Sequence, residues 1–516
     1  MKKAFLILLT ATTSLFVLSQ PGSLDKTFGN DGKVYPNMGL FTGRMQGYNS
    51  IVVQPDNKFI LAGINEDNTT YGDVALMRCN PDGSLDKTFG GKGYVTTDIQ
   101  NVRNAGRSVA LQKDNKIVAA ATVENKVAVI RYNNDGSLDE AFGNRGYIVI
   151  DLKYEIDDTY SVAVQDDQKI VLTGYTGDGY AADFFAARFN PDGTLDNSFG
   201  DSGISIIDIG GQDYATGLAI QTDGKIVISG YSDALNNTLS SFFVARLQTD
   251  GSLDTAFNKK GYNITSPGKD YLDSWCYSIA LQDDGRILLV GAAWYASDII
   301  DNLMIRYNTD GSLDNSFGTN GIVITILGNL EAWSTDLAFQ SDSKILVVGY
   351  YRILNDQDII VYRYNNDGTI YYSFGKGGYT DIDLGSYDEM AMTTTLQAGR
   401  LLVAGSKYEY MFVLRYLLDL ENGVNYHTIS TDSCLVYPNP IKNEGILKYN
   451  LESPGVINIG LFDLNGKLVQ IFVNESYRFQ GEQIENLRLS ENIKPGIYLV
   501  RVWSNRLSIT TKLLKE

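Results

Sequence analysis

The sequence predicts an all-β fold: a seven-bladed β-propeller of four-stranded antiparallel blades, followed by a small C-terminal β-sandwich. Three observations carry that expectation. A G-S-L-D-x-x-F-G motif recurs seven times through most of the 516 residues. A second cassette, a Q-x-D-x-K turn leading to a strand with an arginine near its end, also recurs seven times. No long apolar stripe of period 3.6 is present, so short strands, not helices, must fill the repeat.

The motif first appears as Gly22, Ser23, Leu24 and Asp25 with Phe28 and Gly29. Its phenylalanine returns at Phe89, Phe142, Phe199, Phe257, Phe317 and Phe374, a spacing of 53–61 residues. Two copies depart: Asn258 replaces the last glycine of the fifth, and Tyr371 the aspartate of the seventh. The cassette glutamines are Gln54, Gln112, Gln165, Gln221, Gln282, Gln340 and Gln397. Its arginines are Arg78, Arg131, Arg188, Arg246, Arg306, Arg363 and Arg415. Each unit holds four short stretches rich in β-branched and aromatic residues, bounded by Gly, Asn and Asp; in one unit they are 94–99, 108–112, 116–121 and 127–132. Such a unit is a propeller blade.

The repeat also predicts closure. The chain opens the array with a motif and ends it with a cassette, so a ring completes both if the strand near 33–35 joins the last blade. Closure removes the exposed sheet edges of an open array. In six units the motif position lies eight residues after the arginine, as in Arg78 and Asp86. A long cation in a packed strand needs a partner, so each arginine should pair with that aspartate or a nearby turn carbonyl. Arg415 has no motif after it, which makes Asp25 its expected partner; Arg363 faces Tyr371 and must find another.

On the D-G-S-L-D-x-x-F-G motif, as at 82–90 and 310–318, and the arginine strand before it, residues 22–418 resemble the delta-60 repeat family. The resemblance implies a fold and little chemistry.

The chain divides into a targeting segment at 1–19, the repeat array at 20–418, a polar linker at 419–433 and a distinct unit at 434–516. Lys2 and Lys3 precede an apolar stretch at 4–18, which is too short for a membrane span and reads as a signal peptide, with cleavage expected near Gln20. No other apolar run could anchor the mature chain in a bilayer. The C-terminal unit carries Tyr437-Pro438-Asn439-Pro440, Asp463 with Gly466-Lys467, a strand Gly496-Ile497-Tyr498 running to Val502, and a basic end. In that order these motifs resemble the type A C-terminal sorting domain of the type IX secretion system. The resemblance implies secretion, or display on the outer cell surface, via the periplasm, with the type IX machinery as partner.

Composition narrows the function. A net charge of −18 opposes phosphate backbones, so nucleic acid is not an expected partner. Cys79, Cys276 and Cys434 are too few for a disulfide scaffold, and Cys79 stands where other repeats carry apolar residues. The single histidine, His427, lies in the linker, which leaves neither a histidine-based triad nor a histidine zinc site. Once-per-blade aspartates read as structural. Asn80, Asp82 and Asp86 could offer oxygen to calcium, but a tight turn needs the same residues without any metal. No cofactor is expected, with calcium the one ion left open.

Loop parity places the candidate site. The uniform Q-x-D-x-K turn and the motif emerge on one face, so variation collects on the other, at 38–49, 65–72, 176–182, 233–240 and 266–274. Trp275, Trp294, Tyr295, Trp333, Tyr350 and Tyr351 fall in or beside these loops. Aromatics beside variable polar loops suit recognition of carbohydrate or protein. The expectation is a non-catalytic binding module for an extracellular glycan or protein. The alternative is a secreted propeller hydrolase or lyase acting on polysaccharide, which would show a pocket with two close, non-repeating carboxylates.

Overall fold

The computed structural model describes residues 20–418 and 434–516, apart from short stretches at 37–41, 45–49, 67–71, 153–155, 178–180, 234–238, 296–298, 354–355, 386–387, 408–409, 452–454, 464–466, 479–480 and 505–506. Residues 1–19, read as the signal segment, and the linker with His427 lie outside the described residues, as do parts of four of the five variable loops.

Among the described residues, 20–418 form seven antiparallel sheets. The second is representative, with strands Asn104–Leu111, Ile117–Val123, Lys126–Tyr132 and Tyr147–Ile150 side by side. The sheets are numbered by their inner strands: Ile51–Val53, Asn104–Leu111, Ile156–Val164, Asp213–Ile220, Tyr271–Leu281, Glu331–Phe339 and Glu389–Gln397. In the first, Thr42–Arg44 and Ile51–Val53 both pair with Phe59–Glu66.

Sheet membership departs from the repeat as read. The strand after each motif belongs to the preceding sheet: Tyr94–Thr97 pairs with Asp73–Cys79, not with Asn104–Leu111. The motif is therefore the loop between third and fourth strands, not a link between blades. An outer strand can pair with either flank on pattern alone, so sequence does not fix this choice. The parity of loops is unchanged, because the Q-x-D-x-K turns and the motifs still emerge together.

Apolar clusters form where one sheet stacks on the next. Ile60, Leu76, Phe89, Val109, Ala119 and Ile130, from the first two sheets, share one such core. The motif supplies the joints. Asp86 Oδ1 accepts from the Thr88 amide at 3.1 Å and hydroxyl at 2.7 Å, and Oδ2 accepts from Arg78 Nε at 2.7 Å. The guanidinium lies 4.8 Å from the Phe89 ring and donates onward to the Asn134 carbonyl in the next motif. Burial opposes ionisation of Asp86, but Thr88, Lys58 and Arg78 hold it well below the usual carboxylate range. Arg188, Arg246 and Arg306 repeat this staple onto Thr249, Thr309 and Asn366. Asp82 caps Ser84 through both amide and hydroxyl, as a turn requires.

The two departures have physical reasons. Gly29, Gly90 and Gly318 hold φ of +52° to +58° at the last motif position; Asn258, at φ +48°, stands there in the fifth copy. Asparagine is among the side chains that best tolerate that region. Arg363, facing Tyr371, donates to the Leu418 carbonyl at 2.5 Å and lies 4.7 Å from the Tyr371 ring.

The ring closes as the pattern predicts. Lys33–Val34 pairs with Tyr410–Tyr416, completing the seventh sheet. Arg415 Nε donates to Asp25 Oδ2 at 2.9 Å, and its Nη1 reaches the Pro81 carbonyl at 2.5 Å. A Cβ on Gly22 would touch Gly375 and the Phe374 ring within 3.0–3.3 Å, the same close seat that Gly136 takes against Phe89.

Residues 434–516 form two further sheets, of three and four strands, around Leu447, Tyr449, Ile459, Leu461, Val500 and Val502. Tyr372 of the divergent seventh motif meets this unit: Phe462 and Trp503 lie 6.1 and 6.2 Å from its ring, and Arg501 donates to its carbonyl.

Candidate functional site

The inner strands of the second to seventh sheets carry a bulge, opposite a small residue of the second strand; in the fourth sheet it falls between Ala215 and Gly217, opposite Gly230. A bulge turns two successive side chains toward one side. Around it, on the variable-loop side, sit large rings.

Trp275 of the inner strand stacks on Trp294 of the second strand, with centroids 6.4 Å apart. Trp333 stacks on Tyr350 at 5.0 Å in the sixth sheet. Tyr214 stacks on Tyr231 at 5.1 Å in the fourth sheet, at the same register as Trp333 on Tyr350, and in the third the bulge residue Tyr160 stacks on Tyr175 at 6.1 Å. Tyr175 meets Tyr214 edge-on at 4.9 Å, joining those two sheets. Stacked pairs thus run through four consecutive sheets. Seven of the eight rings are half-buried, and Trp333 is 8% exposed. Guanidinium groups lie at both ends: Arg107 is 5.4 Å from the Tyr160 ring, and Arg352 is 5.2 Å from Trp333.

The structure therefore places Trp275 with Trp294 and Trp333 with Tyr350. Tyr295 is exposed and packs edge-on against Tyr271 at 5.2 Å. Tyr351, one residue from Tyr350, points to the opposite side of its sheet; it is 6% exposed, and its hydroxyl donates to Asp381 at 3.3 Å. Sequence reasoning missed Tyr160, Tyr175, Tyr214 and Tyr231. Tryptophan is rare here, at four, and draws attention; tyrosine numbers 33, so four more carry no signal alone. Position after the cassette glycine would have found two of them, Tyr175 after Gly174 and Tyr231 after Gly230.

Carboxylates collect on the same face. Asp183, Asp208 and Asp213 bring oxygens within 4.8 Å of one another, and so do Asp358, Asp383 and Glu389. These are equivalent positions of two sheet junctions, so neither set breaks the repeat. The buried thiols are inert: burial pushes Cys79 and Cys276 up to about 12.

Comparison with known proteins agrees with this architecture. Residues 54–89, 112–142, 165–199, 221–257, 282–317 and 340–374 match a domain of unknown function (DUF5122) beta-propeller. Residues 435–516 match the secretion system C-terminal sorting domain. The chain is a DUF5122 β-propeller protein with a type IX C-terminal sorting domain, which implies export to the outer surface or beyond. Each matched propeller segment runs from a cassette glutamine to a motif phenylalanine. The seventh such unit is split between Gln397 and Phe28 at opposite ends of the array, and closure reunites it.

No curated protein matches the sequence. Among solved structures, PorZ, an essential surface component of the type IX secretion system of Porphyromonas gingivalis, is 12% identical with a TM-score of 0.34. That alignment covers 91% of this chain and 59% of PorZ. Drosophila Plexin A is 9% identical, TM-score 0.42, covering 77% of this chain and 88% of that one. A PL25 ulvan lyase is 11% identical, TM-score 0.40, covering 78% and 96%. Among the described residues no helix is long and apolar enough to cross a membrane.

Proposed function

We propose that the propeller is a non-catalytic binding module for neutral carbohydrate, carried out of the cell by its sorting domain after an N-terminal signal peptide. The observation that carries this reading is the belt of stacked, mostly half-buried ring pairs in four consecutive sheets, two of them, Tyr214 with Tyr231 and Trp333 with Tyr350, at the same register. Half-buried rings are held rigid by their partners yet keep a face or edge for a ligand, and the apolar faces of sugar rings stack on such surfaces. A net charge of −18 disfavours polyanionic chains and leaves neutral ones.

The test is a glycan array probed with the purified chain, followed by titration of the best neutral oligosaccharide and an assay for its cleavage. Binding without cleavage is expected. Trp275→Ala and Tyr214→Ala should each weaken it about ten-fold, a loss on the scale of one stacked ring. Binding that both variants leave intact would remove the belt from the reading. Depolymerisation of the bound glycan would replace it with the hydrolase or lyase alternative.

A further inference from the structure

The two acidic clusters are built on one plan. In each, a residue of the third strand of one sheet, a residue just beyond the fourth strand, and the first residue or so of the next inner strand converge. The backbone cradles match. Gly210 N donates to Asp208 Oδ1 at 2.6 Å, and Gly385 N to Asp383 Oδ1 at 2.6 Å. Ile209 N donates to Asp213 Oδ2 at 2.9 Å, and Leu384 N to Glu389 Oε2 at 3.3 Å.

They differ in what neutralises them. Glu389 pairs across the sheet with Lys407, whose ammonium lies 3.0 Å from Glu389 Oε1 and donates to the Leu384 carbonyl. The sixth–seventh junction thus carries its own cation. At the second–third junction the position equivalent to Asp183 is Lys126, which lies 3.0 Å from Asp151, the equivalent of Asp208. At the third–fourth junction the residue paired with Asp213 is Ser232, and no lysine stands at position 183. Asp213 is 0% exposed, Ser232 lies beside it, and its Oδ1 has no hydrogen-bond partner. A buried acceptor aimed among two further carboxylates, with neither of the lysines found at those two junctions, lacks a positive charge.

We propose that Asp183, Asp208 and Asp213 bind one divalent cation of the calcium class, which takes the place Lys407 fills at the equivalent junction. All-oxygen donors, carboxylate-rich and open to solvent on the exposed Asp208 side, suit a hard ion that completes its shell with water. The site would pin the third sheet to the fourth, and it stands independently of the saccharide reading.

The test is calorimetric titration of the full chain with CaCl2 after chelator treatment, with thermal melts alongside. One equivalent is expected to bind with a Kd of about 10⁻⁴–10⁻³ M or tighter, and to raise the Tm. Asp208→Ser removes an exposed ligand without touching the core and should weaken binding at least ten-fold. Ser232→Lys should abolish the calcium response and match the calcium-loaded Tm without metal. The proposal falls if the chain binds no calcium below about 10 mM, if Asp208→Ser binds as the parent does, or if Mg²⁺ binds as tightly as Ca²⁺.

Discussion

At the scale of single residues, Asp336 shows how one exception to a repeat is absorbed. Ser108, Ser161, Ser278 and Thr393 stand at the equivalent place, just past the inner-strand bulge. Asp336 is 2% exposed and accepts four hydrogen bonds: from Ser278 Oγ at 2.7 Å, Leu337 N at 2.8 Å, Thr393 Oγ1 at 3.0 Å and Thr394 N at 2.8 Å. It thereby ties the inner strands of three successive sheets. Burial outweighs these bonds and raises its carboxyl to about 6. An unfolded aspartate titrates near ~3.9, so the folded chain holds a proton that the unfolded chain gives up between those values. Its contribution is therefore fully present below pH ~4 and is lost as pH rises through about 6. Asp336→Ser restores the commoner residue, and Ser108 already accepts from the equivalent amide, Val162, at 3.3 Å. Relative to Asp336→Ser, the parent should lose about 2–3 kcal/mol between pH 4 and 7 in urea unfolding. Parallel pH profiles for the two would contradict this.

At the scale of elements, the seventh motif does a different job from the other six. Tyr371 and Tyr372 make it aromatic, and Tyr372 is where the sorting domain rests, through Phe462, Trp503 and Arg501. Burial pulls Arg501 down to about 10, in keeping with a guanidinium enclosed at that seam. Tyr372→Ala should free the C-terminal unit without unfolding either part, read as a larger radius of gyration by small-angle scattering at an unchanged Tm. An unchanged radius would mean Tyr372 holds nothing.

This motif also marks what sequence shows and what it hides. Strand identity, the arginine–aspartate staple and closure were legible because each recurs at fixed spacing. The assignment of Tyr94–Thr97 to its sheet was not, since antiparallel pairing offers either neighbour. The tryptophans of the belt were legible by rarity. The tyrosines were hidden among many others, and the carboxylates of the acidic cluster lie on three separate segments that only sheet stacking brings together.

At the scale of the molecule, everything hangs on one joint. Residues 25 and 415 are 390 positions apart, so bringing them together costs about 5 kcal/mol of chain entropy. Against that stand the pairing of Lys33 and Val34 with Leu414 and Val413, the seat of Gly22 on Phe374, and a carboxylate shared by Arg415 and Arg400. Deleting residues 20–35 removes all of these at once. Tyr410–Tyr416 then becomes an uncovered edge, and Arg415 is left partly buried without its carboxylate. The truncated chain should melt lower and self-associate through that edge, seen as higher-mass species by light scattering. Asp25→Asn keeps the strand and loses only the charge, so it should melt lower yet stay monomeric. A synthetic peptide spanning residues 20–36, added in trans, should return the truncated chain to the parent's mass and most of its Tm. A truncated chain that stays monomeric with the parent's Tm would mean the ring does not depend on its closing strand.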